Sequence, residues 1–204
     1  MPFPTTPVID DFNRANGAIG ANYTIPTFAG GMNVSSNTAV AAAANGLAIR
    51  NTLTYQDVEI YATLATKPSD GNIATLFWRT VQVSSAATLD GYALIMTSVA
   101  GASNDTLQVQ SVTNGVGTNI GAAFTQELNN GDVIGIRMIG ATIEVFINGT
   151  SLGTRSSALY TATGQLGLGF LSTSGAWDNF GGGTPLSLPF IAPTYRRMAG
   201  IIVR

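Results

Sequence analysis

Apolar and polar residues alternate with period two along most of the chain. Across residues 132–154, Ile134, Ile136 and Met138 alternate with Gly135 and Arg137, and Ile143, Val145 and Ile147 alternate with Glu144 and Phe146. Gly140-Ala141 separates the two runs. Asn148-Gly149 follows where a type I′ turn needs two residues with φ > 0. A three-stranded meander is therefore predicted, with 150–154 as the returning strand. Residues 57–64 alternate Val58, Ile60, Ala62 and Leu64 with Glu59, Tyr61 and Thr63. After the turn cluster Lys67-Pro68-Ser69-Asp70-Gly71, strands are expected at 73–83, 92–98 and 107–113, with a turn at 114–118.

Leu166, Leu168 and Phe170 share one strand face and Gly167 and Gly169 the other, which predicts another layer lying close over the glycines. Residues 39–44 have high helix propensity but no amphipathic stripe, and read as strand or loop. Ten or so short strands with frequent turn signals predict an all-β, two-sheet antiparallel jelly-roll sandwich.

Composition removes most catalytic chemistry. The 204 residues include neither Cys nor His, so disulfides, thiolate or imidazole metal sites and Ser-His-Asp catalysis are excluded. Only 10% are charged, against roughly 25% in an average soluble domain, and the net charge is −2. Neither nucleic-acid binding nor membrane insertion is expected, since there is no basic patch and no long apolar run. Glycoside hydrolysis needs two facing carboxyl groups. The three glutamates do not supply them, because Glu59 and Glu144 read as solvent-side strand positions and Glu127 as a loop residue.

The composition shifts after Gly181-Gly182-Gly183, a run that reads as a flexible hinge. Residues 184–204 contain three arginines and no acid, leaving six basic against eleven acidic residues in the body, a charge of −5. Pro185, Pro189 and Pro193 prevent a helix and keep the segment extended. The organisation expected is a sandwich over 1–183 and an extended tail over 184–204. Within the tail, Phe190, Ile191, Tyr195, Arg196, Arg197, Ile201 and Val203 are the expected assembly interface, because an isolated monomer would leave much apolar surface in water.

Asp10-Asp11-Phe12-Asn13-Arg14-Ala15-Asn16-Gly17 resembles the opening strand of concanavalin-A-like, laminin-G-like jelly rolls, with Tyr23 where Trp is usual. In the same order, Asp57-Val58-Glu59-Ile60, Phe77-Trp78-Arg79 with Asp90-Gly91-Tyr92, Gly131-Asp132 with Ile147-Asn148-Gly149, and Gly164-Gln165-Leu166-Gly167-Leu168 with Trp177-Asp178-Asn179-Phe180 resemble later motifs of that superfamily. The resemblance spans residues 10–180 and implies the jelly-roll fold. It leaves function open, because the superfamily includes lectins, glycanases and phage virion proteins. Its glucanase branch carries E-x-D-x-x-E on one strand, and this chain has no such pattern.

The overall flavour is most similar to the phage proteins. The expectation is a non-enzymatic virion structural protein, a capsid decoration or tail component assembled in the host cytoplasm. Its partners would be other virion proteins or sister subunits in a homo-oligomer or larger assembly. The alternative is a carbohydrate- or receptor-binding module with a host-surface glycan as partner, and a glycan hydrolase is the weakest reading. Trp78 reads as core, which leaves Arg79 and Tyr92 as ligand-binding candidates. Asp10, Asp11 and Asp178 form the best acidic cluster. There Asp178 is read as capping a turn or pairing with Arg14, and a calcium site is the alternative. No cofactor or metal is assigned.

If the faces are read correctly, Val145→Asp places an unpaired carboxylate in the core. Thermal unfolding should then show a loss of at least ~3 kcal/mol, whereas unchanged stability would mean the faces are reversed.

Overall fold

The alternation along each strand decides which side chains meet the opposite sheet. The computed structural model describes residues 2–81, 88–101 and 105–186. Within them, strands β1 (Val8–Asp10), β2 (Gly17–Ala18), β4 (Met32–Ser35), β5 (Thr38–Ala41), β7 (Val58–Thr66), β13 (Val133–Ile139), β14 (Thr142–Ile147), β15 (Thr150–Ser156) and β17 (Ala176–Gly183) form one sheet. The second contains β3 (Tyr23–Thr24), β6 (Gly46–Tyr55), β8 (Ile73–Val81), β9 (Asp90–Thr97), β10 (Thr106–Thr113), β11 (Val116–Asn119), β12 (Phe124–Thr125) and β16 (Gly164–Phe170). Every strand pairing is antiparallel.

The expected meander is β13–β14–β15, with Ile136 opposite Val145 and Met138 opposite Ile143. Asn148 and Gly149 take φ of 51° and 78°, as a type I′ turn requires. Asn148 Nδ2 also donates to Asp132 Oδ1 at 2.7 Å, which ties the two ends of the G-D…N-G motif. Residues 39–44 are strand and loop rather than helix. The expected turn at 114–118 is shorter, because β11 begins at Val116 and pairs with β10.

One core lies between the sheets. Ile60, Leu64, Ile136, Ile143, Val145, Trp177 and Phe180 of the first sheet meet Leu76, Trp78, Leu94, Val109, Leu166, Leu168 and Phe170 of the second. Trp78 is buried as read from the sequence, and its indole lies 3.3 Å from Met138 Sδ across the sandwich.

β16 lies between β6 and β8, and β17 lies between β7 and β5. The last two strands of the described residues thus close the middle of both sheets. The glycine run is therefore no hinge: Gly181, Gly182 and Gly183 are buried and pair with Tyr61, Ile60 and Glu59. Glycine is required there by space. A Cβ at Gly181 would lie 2.1 Å from Tyr61 Cζ, and one at Gly182 would lie 2.6 Å from Leu166 Cδ1. The boundary drawn at 183 falls at the end of a central strand. The assembly residues Phe190, Ile191, Tyr195, Arg196, Arg197, Ile201 and Val203 lie outside the described residues.

Glu59 corrects a second expectation. It is fully buried, because residues 2–7 cross the outer face of the first sheet above it. Its Oε2 accepts from Thr5 N (2.7 Å), Thr5 Oγ1 (2.9 Å) and Thr6 N (3.1 Å), and its Oε1 accepts from Arg137 Nε (2.7 Å). Phe3 stacks on Phe146 with centroids 4.2 Å apart, and the Tyr61 hydroxyl donates to Thr6 O at 2.9 Å. Glu144, opposite Arg137 in register, is half-buried.

Because that hydroxyl bond pins the Tyr61 ring, Gly181→Ala should lower stability by ~1–3 kcal/mol in thermal or urea unfolding. A change below ~0.5 kcal/mol would restore the hinge interpretation.

Candidate functional site

On the second sheet, Tyr92, Leu94 and Met96 point into the core, so Ala93 and Ile95 point outward. A soluble sheet ordinarily carries polar residues on its outer face. Here Leu89, Ala93 and Val112 form a separate apolar cluster, with Phe77 and Ile95 packed against it. A groove of about 300 Å³ runs over this face. Phe28, Phe77 and Leu171 are among its apolar lining, while Asn45, Thr75 and Gln110 supply polar side chains.

β16 contributes bare backbone beside it. A Cβ at Gly169 would lie 2.4 Å from Gly46 O and 3.1 Å from Thr75 Oγ1, and both of those residues line the groove. Over Gly167 the space is filled by Ile49 of the adjacent strand, whose Cδ1 would lie 2.3 Å from an added Cβ. Among the described residues no separate layer lies over these glycines: Gly167 is met by a side chain of the same sheet and Gly169 borders the groove.

The structure places Arg79 and Tyr92 elsewhere. Arg79 is 2% exposed and Tyr92 fully buried, so neither presents its polar group on the open sheet face. β8 bulges after Trp78, and Arg79 takes φ 47°, which turns its side chain toward the end of the sandwich. There Nε donates to Gln56 O (2.5 Å), Nη1 to Tyr160 O (2.8 Å) and Nη2 to Gly140 O (3.1 Å). Burial lowers the Arg79 pKa below its ordinary value, against the opposing influence of Tyr92 and of Asp57, whose carboxylate is 3.7 Å away. The Tyr92 hydroxyl donates toward Ser157 and accepts from Tyr160 N at 3.0 Å. Both residues therefore anchor the loop carrying Tyr160. The bulge also explains two motif glycines, since a Cβ at Gly91 would lie 2.9 Å from Arg79 O and one at Gly164 would lie 2.2 Å from Arg79 C.

Arg14 pairs with Asp10 and not, as expected from the sequence, with Asp178. Asp10 Oδ1 accepts from Arg14 Nη1 (2.6 Å) and Phe12 N (2.9 Å), and its Oδ2 from Arg14 Nη2 (3.1 Å) and the Tyr23 hydroxyl (3.0 Å). The hydrogen bond to Asp10 raises the Arg14 pKa against burial, and burial together with Asp10 raises that of Tyr23. Asp178 accepts from the backbone and side-chain amides of Asn179 inside β17, where the strand register shifts and Asn179 takes φ 46°, so it caps no turn. Among the described residues no three acidic side chains converge as a metal site would require. The groove is not among the sites expected from the sequence. A signal was present, because apolar Phe77, Ile95 and Val112 recur on the outward face of three successive strands.

No protein-family model and no curated protein sequence matches the chain. Solved structures do. A Bacillus subtilis protein of unknown function with a galectin-like fold aligns at TM-score 0.60 and 11% identity, over 80% of this chain and 89% of that one. A Bacillus subtilis carbohydrate-binding module aligns at TM-score 0.53 and 14% identity, over 82% and 94%. A Bacillus licheniformis β-glucanase aligns at TM-score 0.53 and 13% identity, over 85% and 95%. The fold is the concanavalin-A-like jelly roll that the ordered motifs resemble.

Arg79→Met keeps the aliphatic stem, removes a buried charge and leaves three carbonyls without their guanidinium donor. A loss of about 3 kcal/mol is expected, or roughly 6–12 °C in Tm. A Tm within about 2 °C of the parent would show that the guanidinium is not a structural anchor.

Proposed function

We propose that the chain is a non-catalytic carbohydrate-binding module that holds a neutral glycan along the groove over β6, β8, β9 and β10. The observation that carries this is the lining: Phe28 and Phe77 beside Asn45, Thr75 and Gln110, with no ionisable side chain among its described residues. Sugar rings have apolar faces edged by hydroxyls. Such a ligand suits a concave, mainly apolar site with a few placed amides and hydroxyls. The shared fold with a carbohydrate-binding module and a β-glucanase is compatible with glycan binding without specifying it.

Cleavage is not part of the proposal. Hydrolysis requires a carboxylic acid and a carboxylate flanking the scissile bond. Glu59 lies under the N-terminal segment on the other sheet, and Glu127 accepts from Lys67 Nζ at 2.9 Å. Glu144 belongs to β14 of that other sheet. The virion role anticipated from the sequence would act through the tail at 184–204 and draws nothing from this groove.

Screening the full chain on an array of neutral and acidic glycans should detect binding to neutral glycans without released product. Phe77→Ala should weaken it roughly fivefold, the equivalent of about 1 kcal/mol of ring contact. Absence of binding, equal affinity in Phe77→Ala, or turnover of the glycan would refute the proposal.

A further inference from the structure

A second hollow, of about 250 Å³, lies at the sandwich edge and is lined by Ile9, Asp10, Arg14, Ile19, Gly20, Asn22, Tyr23 and Arg50. Arg50 is the unusual member. On β6 it alternates with Leu47 and Ile49 and shares the side of buried Ala48, away from the groove; its register partner is Tyr23 of β3. Its guanidinium carbon stands 5.1 Å from the Tyr23 ring centroid. Among the described arginines, Arg14 is held by Asp10, Arg79 by three carbonyls, Arg137 by Glu59, and Arg155 by Ala122 O. Among the described residues the Arg50 side chain has no ion pair or hydrogen bond, and its Nε is buried without a partner.

The charges around it do not compensate it. Asp10 is the acid in the lining, and its carboxylate is already matched by Arg14 and the Tyr23 hydroxyl. The lining therefore retains one uncompensated positive charge. Only Nε is shut off from solvent; the Nη groups are accessible and lack a protein acceptor among the described residues, so they are the donors an anion entering the hollow would meet. The Tyr23 ring lies against the guanidinium, and the Nη groups, which are not buried, form the donor pair that receives a carboxylate through two parallel N–H bonds. The exposed amide of Asn22 at the rim is a further donor.

We propose that this hollow is a carboxylate-binding site centred on Arg50, separate from the glycan groove and independent of its assignment. The single net charge fits a monoanion, and the volume fits a small carboxylate or one acidic sugar residue rather than a polymer.

The test uses the full ¹⁵N-labelled chain, following the Arg50 Nε–H signal and the Gly20 and Asn22 amides. The probes are sodium acetate, sodium glucuronate, sodium sulfate and glucose at matched ionic strength. A saturable shift is expected with carboxylate and none with glucose. A response to both acetate and glucuronate identifies a site for free carboxylates, and a response to glucuronate alone identifies one for carboxylates carried on sugars. Arg50→Gln should abolish the response. Arg50→Lys keeps the charge without the donor pair, and should weaken it roughly tenfold. No saturable shift, a response to sulfate alone, or parental affinity in Arg50→Lys would overturn the proposal, and the lysine variant decides it if Arg50→Gln does not fold.

Discussion

The structure depends on the insertion of two glycine-containing strands into the middle of both sheets. β16 fits between β6 and β8, and β17 between β7 and β5, so neither sheet is continuous without them. Close fit restricts what they can be. Tyr61 packs over Gly181, Leu166 over Gly182, and Ile49 over Gly167. A side chain at any of these points would have to displace a packed neighbour, and close-packed interiors yield little. Gly169, on the same strand, borders the groove. The constraint that closes the sandwich thus also shapes its candidate site.

Charge is used sparingly and mostly as internal fastening. Glu59 and Arg137 hold residues 2–7 against one sheet, and Arg79 joins three separate carbonyls at the end of the sandwich. Lys67 meets buried Asp105 at 2.6 Å, and Asp105 in turn accepts from the backbone amides of Val99 and Leu128. Each is a buried or half-buried charge whose hydrogen bonds offset its desolvation. The consequence for function is a groove whose described lining carries no charge, which favours contact through ring faces, amides and hydroxyls. Arg50 departs from this economy, as a guanidinium that the fold brings to a hollow without an internal acceptor.

Much of the fold is legible in the sequence, because period-two alternation is a local property. It assigns Ile134, Ile136 and Met138, and Ile143, Val145 and Ile147, to the core without reference to any other strand. The Asn148-Gly149 turn is equally local, since it depends on the φ preferences of two residues. Ordered motifs extend this to the jelly roll as a whole. By itself the sequence also determines that no thiol or imidazole chemistry is available and that acids are few.

Tertiary structure decided what depends on residues distant in the chain. Glu59 occupies an outward strand position in either description. It is buried only because Thr5 and Thr6, more than fifty residues earlier, cross above it. Gly181-Gly182-Gly183 has the composition of a hinge and becomes a central strand because Tyr61 and Leu166 need the space of the missing side chains. Arg79 loses its place as a ligand-binding candidate because a bulge turns it toward carbonyls of three separate segments. The groove arises from outward-facing residues of separate strands that only pairing in register brings side by side. Alternation specifies a side chain's face within its own strand, but what covers that face is set by chain that folds back from elsewhere.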